Sequence, residues 1–280
     1  MRRSTEKSTQ LPSLKSAREL SLMRRAGIVN WGAHQIIKRM VKPGATTLEI
    51  DQAVERYFAK HQAIPLFKGV PGKIPFPAVC CISLNDEVVH GIPKNKPLVE
   101  GDIVSIDTGC RLNGWCADSA LTHAVGKVHP ETQRLLDVTL GCLNLAIDLM
   151  GKKKYWGEVA EQMAIFVRSA GYSVVENFVG HGIGRGMHEE PQVPNFVNTA
   201  FRRNHDFKLE PGLVIAVEPM VNMGSKKVKA HPDQWTQTTQ DGRPSAHFEH
   251  TVAITENGPW VLTAAPQPEE FAQYQLPVIE

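Results

Sequence analysis

The chain has 280 residues, 42% of them hydrophobic and 21% charged, and its 31 Lys and Arg nearly balance 29 Asp and Glu. This composition predicts a globular protein and argues against a nucleic-acid or membrane partner, since no apolar run approaches the roughly 18 residues of a membrane span. The five cysteines show no CxxC spacing and the polar N-terminus does not resemble a signal peptide, so we expect a soluble cytoplasmic protein without disulfides.

The first half of the chain reads as two helices followed by strands. Apolar residues recur every three to four positions over 22–40, which predicts a helix. Thr46 and Glu49 are typical of a capping box that opens a second helix through about residue 61. A Pro- and Gly-rich loop over 65–77 leads to strand-like segments AVCCIS and DIVSID, and the Asn113-Gly114 turn leads to a third.

The second half repeats that order of elements. Helical spacing over 136–150 and 156–170 precedes the strand-like segments YSVVENFV, LVIAVEP and FEHTVAIT, and a tight Asn-Gly turn returns to WVLT. Two such units predict an α/β (α+β) fold with a pseudo-two-fold repeat and antiparallel strands. We expect a flexible polar lead-in over 1–15, a single domain over 16–264 and a C-terminal tail over 265–280.

Four acidic residues interrupt apolar strand-like segments: Asp107, Asp118, Glu218 and Glu249. A single one could be an edge-strand charge. Four need a common cause, because an unpaired buried carboxylate costs several kcal/mol and mutual burial adds repulsion. Two divalent cations would approximately neutralise them. A hairpin at the Asn-Gly turn would also place Asp107 and Asp118 on neighbouring strands, about 5 Å apart, which suits a shared metal pair.

Histidines and cysteines near these segments are further candidates. The segment GHGIGRGMHEEP carries His181 and His188, and one imidazole would complete a mixed nitrogen and oxygen metal site; the alternative is a mobile surface loop. His90 ends a strand-like segment and alone would be read as a surface residue. Cys80 and Cys81 are interpreted as buried or pocket-lining residues. The dinucleotide, P-loop, HExxH and GxSxG motifs are absent from the sequence.

Taken together, these segments resemble the methionine aminopeptidases of the bacterial type I class. The matching stretches are SLNDEVVHGIP, GDIVSIDTG, ADSALT, GHGIGRGMHEEPQVPNF, LEPGLVIAVEPMVNMG and FEHTVAIT, and the similarity runs from about residue 17 to 263. The resemblance implies the pita-bread fold, with the metal site in a central cleft. It also implies a monomeric metallo-aminopeptidase that removes the initiator methionine from nascent polypeptides, preferentially before a small second residue.

The same resemblance implies a site for two divalent metal ions. Asp118 and Glu249 would bridge the ions. Asp107 would bind one ion, and His181 with Glu218 would bind the other. Such a carboxylate-rich set accepts cobalt, manganese, iron or zinc, so the residues do not identify the metal.

Catalytic and substrate-binding roles also follow from the resemblance. Glu218 would accept a proton from metal-activated water and deliver one to the leaving amine. His90 and His188 would contact the substrate and stabilise the transition state. Cys81 and Trp235 would line the pocket for the methionine side chain.

Some positions depart from the pattern of the family. Met187 stands where an aromatic residue is usual, so one wall of the substrate cleft is expected to differ, and His247 replaces a common glutamine. The 67–77 loop is longer than usual, which leaves open whether Phe67 or Phe76 lines the pocket.

Two other functions fit the same scaffold. A Xaa-Pro peptidase of the same superfamily would share all five ligands but usually carries a separate N-terminal domain. A non-catalytic binding protein would be expected to have lost ligands. Basic residues near the N-terminus could contact the ribosome transiently, or simply be solvated; they are Arg2, Arg3, Lys7, Lys15, Arg24 and Arg25.

Overall fold

The computed structural model describes residues 12–274 and divides them into two units of similar element order. The first unit comprises α1 (Ala17–Met40), α2 (Thr47–Lys60), β1 (Ile64–Pro65), β2 (Cys80–Leu84), β3 (Glu87–Val89), β4 (Ile103–Leu112) and β5 (Trp115–Ala124). The second unit begins with α3 (Pro130–Met150), α4 (Trp156–Ser169), β6 (Ser173–Val174), β7 (Gly180–Gly182), β8 (Glu189–Val193) and α5 (Thr199–Asn204). It continues with β9 (Val214–Val217), β10 (Met220–Asn222), β11 (Val228–Ala230), β12 (Gln237–Thr239), β13 (Ser245–His247), β14 (His250–Thr255), β15 (Gly258–Val261) and α6 (Pro268–Gln273).

The second helix of the first unit begins where the sequence predicts, whereas α1 begins five residues before the predicted range of 22–40. Thr46 caps α2, its hydroxyl accepting from the Glu49 backbone N–H while the Glu49 carboxylate accepts from the Thr46 N–H. Ser16 and Glu19 cap α1 in the same way. These helices cover a four-stranded antiparallel sheet in which β4 pairs with β1, β2 and β5. Their apolar faces and the sheet form one core, which includes Ile37, Phe58, Ile82 and Ile106.

The second unit places α3 and α4 against a five-stranded antiparallel sheet of order β15-β14-β9-β7-β8. Trp156 is fully buried in this second core, and its indole N–H donates to the Pro194 carbonyl at 2.8 Å. Two small sheets complete the fold: β13-β10-β6 lies within the second unit, and β11-β12-β3 pairs a strand of the first unit with two of the second. The predicted α/β class with repeated order is confirmed, whereas the strand predicted over YSVVENFV shrinks to the two residues of β6.

Both ends of the described chain are anchored by buried cations. Arg24 is 2% exposed; its guanidinium forms an ion pair of 2.7 Å with Glu270 of α6 and donates to the Leu262 carbonyl. The range expected to be a tail therefore contains a helix fixed on α1. Lys15 is also buried in an ion pair, so neither it nor Arg24 is free to contact the ribosome. No helix within residues 12–274 is long and apolar enough to cross a membrane.

Gly27 allows α1 to approach the segment that follows β15, because a Cβ at this position would overlap the Leu262 carbonyl group. We predict that Gly27→Ala lowers the free energy of unfolding by about 1–3 kcal/mol, the usual cost of overpacking, although helix propensity alone favours alanine by about 1 kcal/mol. Gly141→Ala in α3 is the matched control, since its Cβ would meet only the exposed Phe166 ring at 3.2 Å. Urea unfolding measures both; equal effects would contradict the prediction.

Candidate metal centre and cleft

The β4–β5 hairpin presents two aspartates on one face. Asn113 and Gly114 form its turn with φ of 51° and 82°, the left-handed values of a two-residue type I′ turn. The resulting register pairs Asp107 with Ala120 and Asp118 with Gly109. The predicted placement on neighbouring strands is confirmed, but the two aspartates are diagonal neighbours and not direct cross-strand partners.

Gly109 leaves the room that the Asp118 carboxylate needs. A Cβ at Gly109 would lie 2.8 Å from Asp118 Oδ1, closer than real Cβ contacts allow. Asp118 is 3% exposed, so its side chain has no alternative direction toward solvent. The hairpin therefore has a glycine at the position where any side chain would displace the buried Asp118 carboxylate.

Glu249 comes from the second unit and joins the hairpin through its backbone. It lies between β13 and β14, and its N–H donates to the Ala120 carbonyl at 2.8 Å. Next to it, the Thr251 hydroxyl donates to the Asp118 carbonyl at 2.8 Å, and the Asp118 N–H donates to that hydroxyl oxygen at 3.0 Å. These bonds connect the two units and place the carboxyl groups of Glu249 and Asp118 together.

His181 and Glu218 complete the cluster from β7 and from the end of β9. His181 Nδ1 lies 2.9 Å from the Gly182 carbonyl oxygen, which can only accept, so Nδ1 carries the proton and Nε2 presents a lone pair. Nε2 lies 3.8 Å from Glu218 Oε1. One ligand atom each from Asp118, His181 and Glu249 lie within 4.8 Å of one another. Glu218 and Glu249 were expected within strands; both lie at breaks between two strands.

The electrostatics of this cluster fit a divalent cation. Burial, together with the neighbouring carboxylates, raises the pKa of Asp107, Glu218 and Glu249 well above their usual ranges. Burial raises the pKa of Asp118 to about 7. Among the described residues, Oδ1 of both aspartates and Oε1 of Glu249 are buried without a hydrogen-bond partner. Burial also lowers the pKa of His181 to about 4, which keeps its imidazole neutral and able to bind a metal.

A cavity of about 870 Å³ opens onto the cluster. Nine of the ten predicted site residues line it, and the tenth, Glu249, lies behind it at 2% exposure. The lining residues among them are Cys81, His90, Asp107, Asp118, His181, Met187, His188, Glu218 and Trp235. The sequence therefore predicted residues that the fold collects in one cleft.

One end of the cavity is apolar. Phe67 and Phe76 are both buried there and pack with Cys81 and Trp235, so both aromatic residues of the long loop line the pocket. The Phe76 and Trp235 rings meet edge to face at 5.2 Å, and the indole N–H donates to the Ile74 carbonyl at 2.8 Å. Met187 packs against the same cluster and forms part of its wall.

Three further histidines lie near the carboxylate cluster. His90 has a left-handed φ of 60°, and its ring meets Phe178 edge to face at 5.5 Å. The exposed His188 ring lies 4.4 Å from that of His181, measured between centroids. His247, whose position was noted only as a departure from the family, lies with Nε2 3.7 Å from Glu218 Oε2. Its spacing of two from Glu249, which places side chains on one face of an extended chain, is the signal that could have identified it.

Comparison with known proteins assigns the fold. The profile of metallopeptidase family M24 matches residues 21–256, and the chain belongs to this family. Its pita-bread fold is thereby confirmed, and membership implies divalent metal ions.

Particular relatives are methionine aminopeptidases. The enzyme of Clostridium perfringens is 45% identical over 250 residues, covering 89% of this chain and 98% of the relative. Methionine aminopeptidase 1 of Bacillus subtilis is 43% identical over 249 residues, with the same coverage of both chains. The crystal structure of methionine aminopeptidase from Thermotoga maritima has a TM-score of 0.85 at 37% identity, covering 90% of this chain and 99% of that one. A prolidase from Pyrococcus horikoshii, at 21% identity and a TM-score of 0.72, shares the fold alone.

We predict that the metal-free protein loses stability as pH rises from about 4 to 7. The pKa of Asp118 is raised from 3.8 to about 7, so across this window the folded state holds a proton that the unfolded chain releases. Since one pKa unit corresponds to about 1.36 kcal/mol, a single carboxyl group with this shift lowers the free energy of unfolding by about 2.5 kcal/mol between pH 5 and 7.5. The neighbouring carboxyl groups with raised pKa values add to this loss. Urea unfolding of chelator-treated protein measures the loss.

Two variants control this measurement. Asp118→Asn should reduce the pH dependence without abolishing it, because the raised pKa values of Asp107, Glu218 and Glu249 contribute to the same loss. Asp148→Asn, at an exposed ion pair on α3, should leave the dependence unchanged. Saturating metal should also remove the loss. An unaltered slope in Asp118→Asn would contradict the assignment.

Proposed function

We propose that this protein is a methionine aminopeptidase that removes the initiator methionine from nascent polypeptides, preferentially when the second residue is small. One observation supports this most directly. A single cavity opens both onto the buried cluster of carboxylates and histidine and onto an apolar pocket. Such a cavity can hold one apolar side chain beside a metal-activated peptide bond. The named relatives, similar over about nine tenths of the chain, support the same substrate.

The residues that would hold two divalent ions are Asp107, Asp118, His181, Glu218 and Glu249. The unpartnered oxygens, and His181 Nε2 at 3.8 Å from Glu218 Oε1, support this set. Cobalt, manganese, iron and zinc all suit it. Bound ions of this kind lower the pKa of water and polarise a carbonyl group.

The chain's own residues would move protons and orient the substrate. Glu218 has 13% of its side chain exposed, toward the cavity, where it can accept a proton from water and return one to the leaving amine. His188 lies at the exposed rim, where its N–H can donate to the substrate carbonyl oxygen. His90, whose ring packs on Phe178, lines the same cavity and would contact the substrate there.

The apolar pocket would select methionine. Phe67, Phe76, Cys81 and Trp235 form an apolar cluster that lines the cavity, which favours an unbranched thioether side chain. One methylene more or fewer in the substrate side chain changes the preference of such a pocket between two substrates by about 1–3 kcal/mol. Met187 gives this wall a flexible residue in place of an aromatic one.

We infer a cytoplasmic monomer that acts on nascent chains without nucleic-acid specificity. The balanced charge and the cysteines support this setting, because all five cysteines are free and buried. A transient ribosome contact would depend on Arg2, Arg3 and Lys7, which lie outside the described residues, and on Arg25.

The proposal is tested by methionine release from Met-Ala-Ser and from a Xaa-Pro peptide. Chelator-treated protein should be inactive on both, and cobalt, manganese, iron or zinc should restore release from Met-Ala-Ser only. Cleavage of the Xaa-Pro peptide alone would favour a prolidase. Absence of both activities in folded, metal-loaded protein would favour a non-catalytic role.

For Glu218→Gln, we predict a fall in kcat of about 10²–10⁴-fold at saturating metal with little change in KM, because the amide can still bind a cation but cannot accept a proton. Steady-state kinetics with metal analysis measures this. Glu256→Gln, an exposed glutamate outside the cavity, is the control and should behave as wild type. Normal turnover by Glu218→Gln with its metal bound would refute the role of Glu218.

A further inference from the structure

The segment that precedes α1 is fixed by Lys15. The side chain of Lys15 is 4% exposed, and its ammonium group donates to Glu189 Oε2 at 2.8 Å and to the Ser13 carbonyl at 2.7 Å. Its backbone N–H donates to the Gly212 carbonyl at 2.7 Å. Lys15, expected in a flexible lead-in, is therefore buried, and both its ammonium group and its backbone N–H form hydrogen bonds.

The partner of Lys15 belongs to the turn that carries His188. Glu189 follows His188 directly, and its second oxygen, Oε1, accepts from the Gly186 N–H at 2.9 Å. One carboxylate thus connects the N-terminal segment to residues 184–188, called here the histidine turn. Both Met187 and His188 of this turn line the cavity.

The histidine turn is shaped to receive this ion pair. A Cβ at Gly184 would lie 2.7 Å from both Glu189 carboxylate oxygens and from Lys15 Cε. On the opposite side, the Cys116 N–H donates to the Gly184 carbonyl at 2.8 Å, and the Arg185 guanidinium lies 4.3 Å from the centre of the Trp115 ring. The turn is therefore held between β5 and Lys15.

We propose that the Lys15–Glu189 ion pair positions His188 for the reaction, so that Lys15 is a positioning residue supplied by the N-terminal segment. The inference rests on the proposed aminopeptidase function. Without Lys15, the half-buried Glu189 carboxylate, 23% exposed, would lose its only cationic partner among the described residues and would turn toward water. Its bond to Gly186 would then weaken, and His188 would leave its position beside His181.

Lys15→Met tests the inference. The change keeps an unbranched apolar stem but removes the charge, and we expect kcat for Met-Ala-Ser to fall about 10- to 100-fold in metal-loaded protein. Lys15→Arg should recover most of the activity, because a guanidinium can also pair with Glu189. Lys208→Met, which breaks an exposed ion pair with Glu210, is the control and should leave kcat unchanged.

A double variant separates positioning from general destabilisation. If Lys15 acts through His188, Lys15→Met should lower kcat by less than about 3-fold in a His188→Ala background. A merely structural role would lower kcat by the same factor in both backgrounds, and that result overturns the inference. Glu189→Gln, which retains the bond to Gly186, provides a second test if Lys15→Met does not fold, with an expected loss that likewise vanishes in the His188→Ala background.

The outcome also separates this inference from the proposed function. Methionine release by wild type with unchanged kcat in Lys15→Met would overturn the role of Lys15 alone. Absence of release by metal-loaded wild type would overturn both.

Discussion

The mutual burial of four carboxylates at the junction of the two units is the constraint on which the rest of the structure depends. Asp107 and Asp118 come from the first unit, and Glu218 and Glu249 from the second. Their raised pKa values express the cost of holding these groups together away from water without a cation. A bound metal ion would relieve the repulsion among these carboxylates, so metal binding would also favour the docking of the two units.

Local backbone features provide the geometry for this junction. The two-residue turn sets the register of the β4–β5 hairpin, and the glycine opposite Asp118 gives its carboxylate space. Hydrogen bonds from Glu249 and Thr251 to β5 then align the second unit with the first. The cleft lies at this junction, where residues from both units can face one substrate. That arrangement explains why the ligands are far apart in the chain and adjacent in the fold.

Much of the fold and of the candidate site could be predicted from the sequence, because the patterns that indicate them involve residues close together in the chain. Capping at Thr46 and the Asn-Gly turn each depend on a few neighbouring residues, and carboxylates in apolar segments are conspicuous. The breaks at Glu218 and Glu249 were missed because apolar composition continues across them. His247 and the Lys15–Glu189 pair depend on contacts between distant segments. The helix after Ala264 was missed for the same reason, since Arg24 of α1 anchors it across 246 positions.

The metal centre itself is tested most directly by anomalous X-ray diffraction from crystals of the full chain equilibrated with manganese. We expect anomalous density among Asp118, His181 and Glu249, extending toward Asp107 and Glu218, and none in crystals of Asp118→Asn at the same concentration. Well-ordered crystals with these five side chains in place and no anomalous density among them, or density only elsewhere, would contradict it.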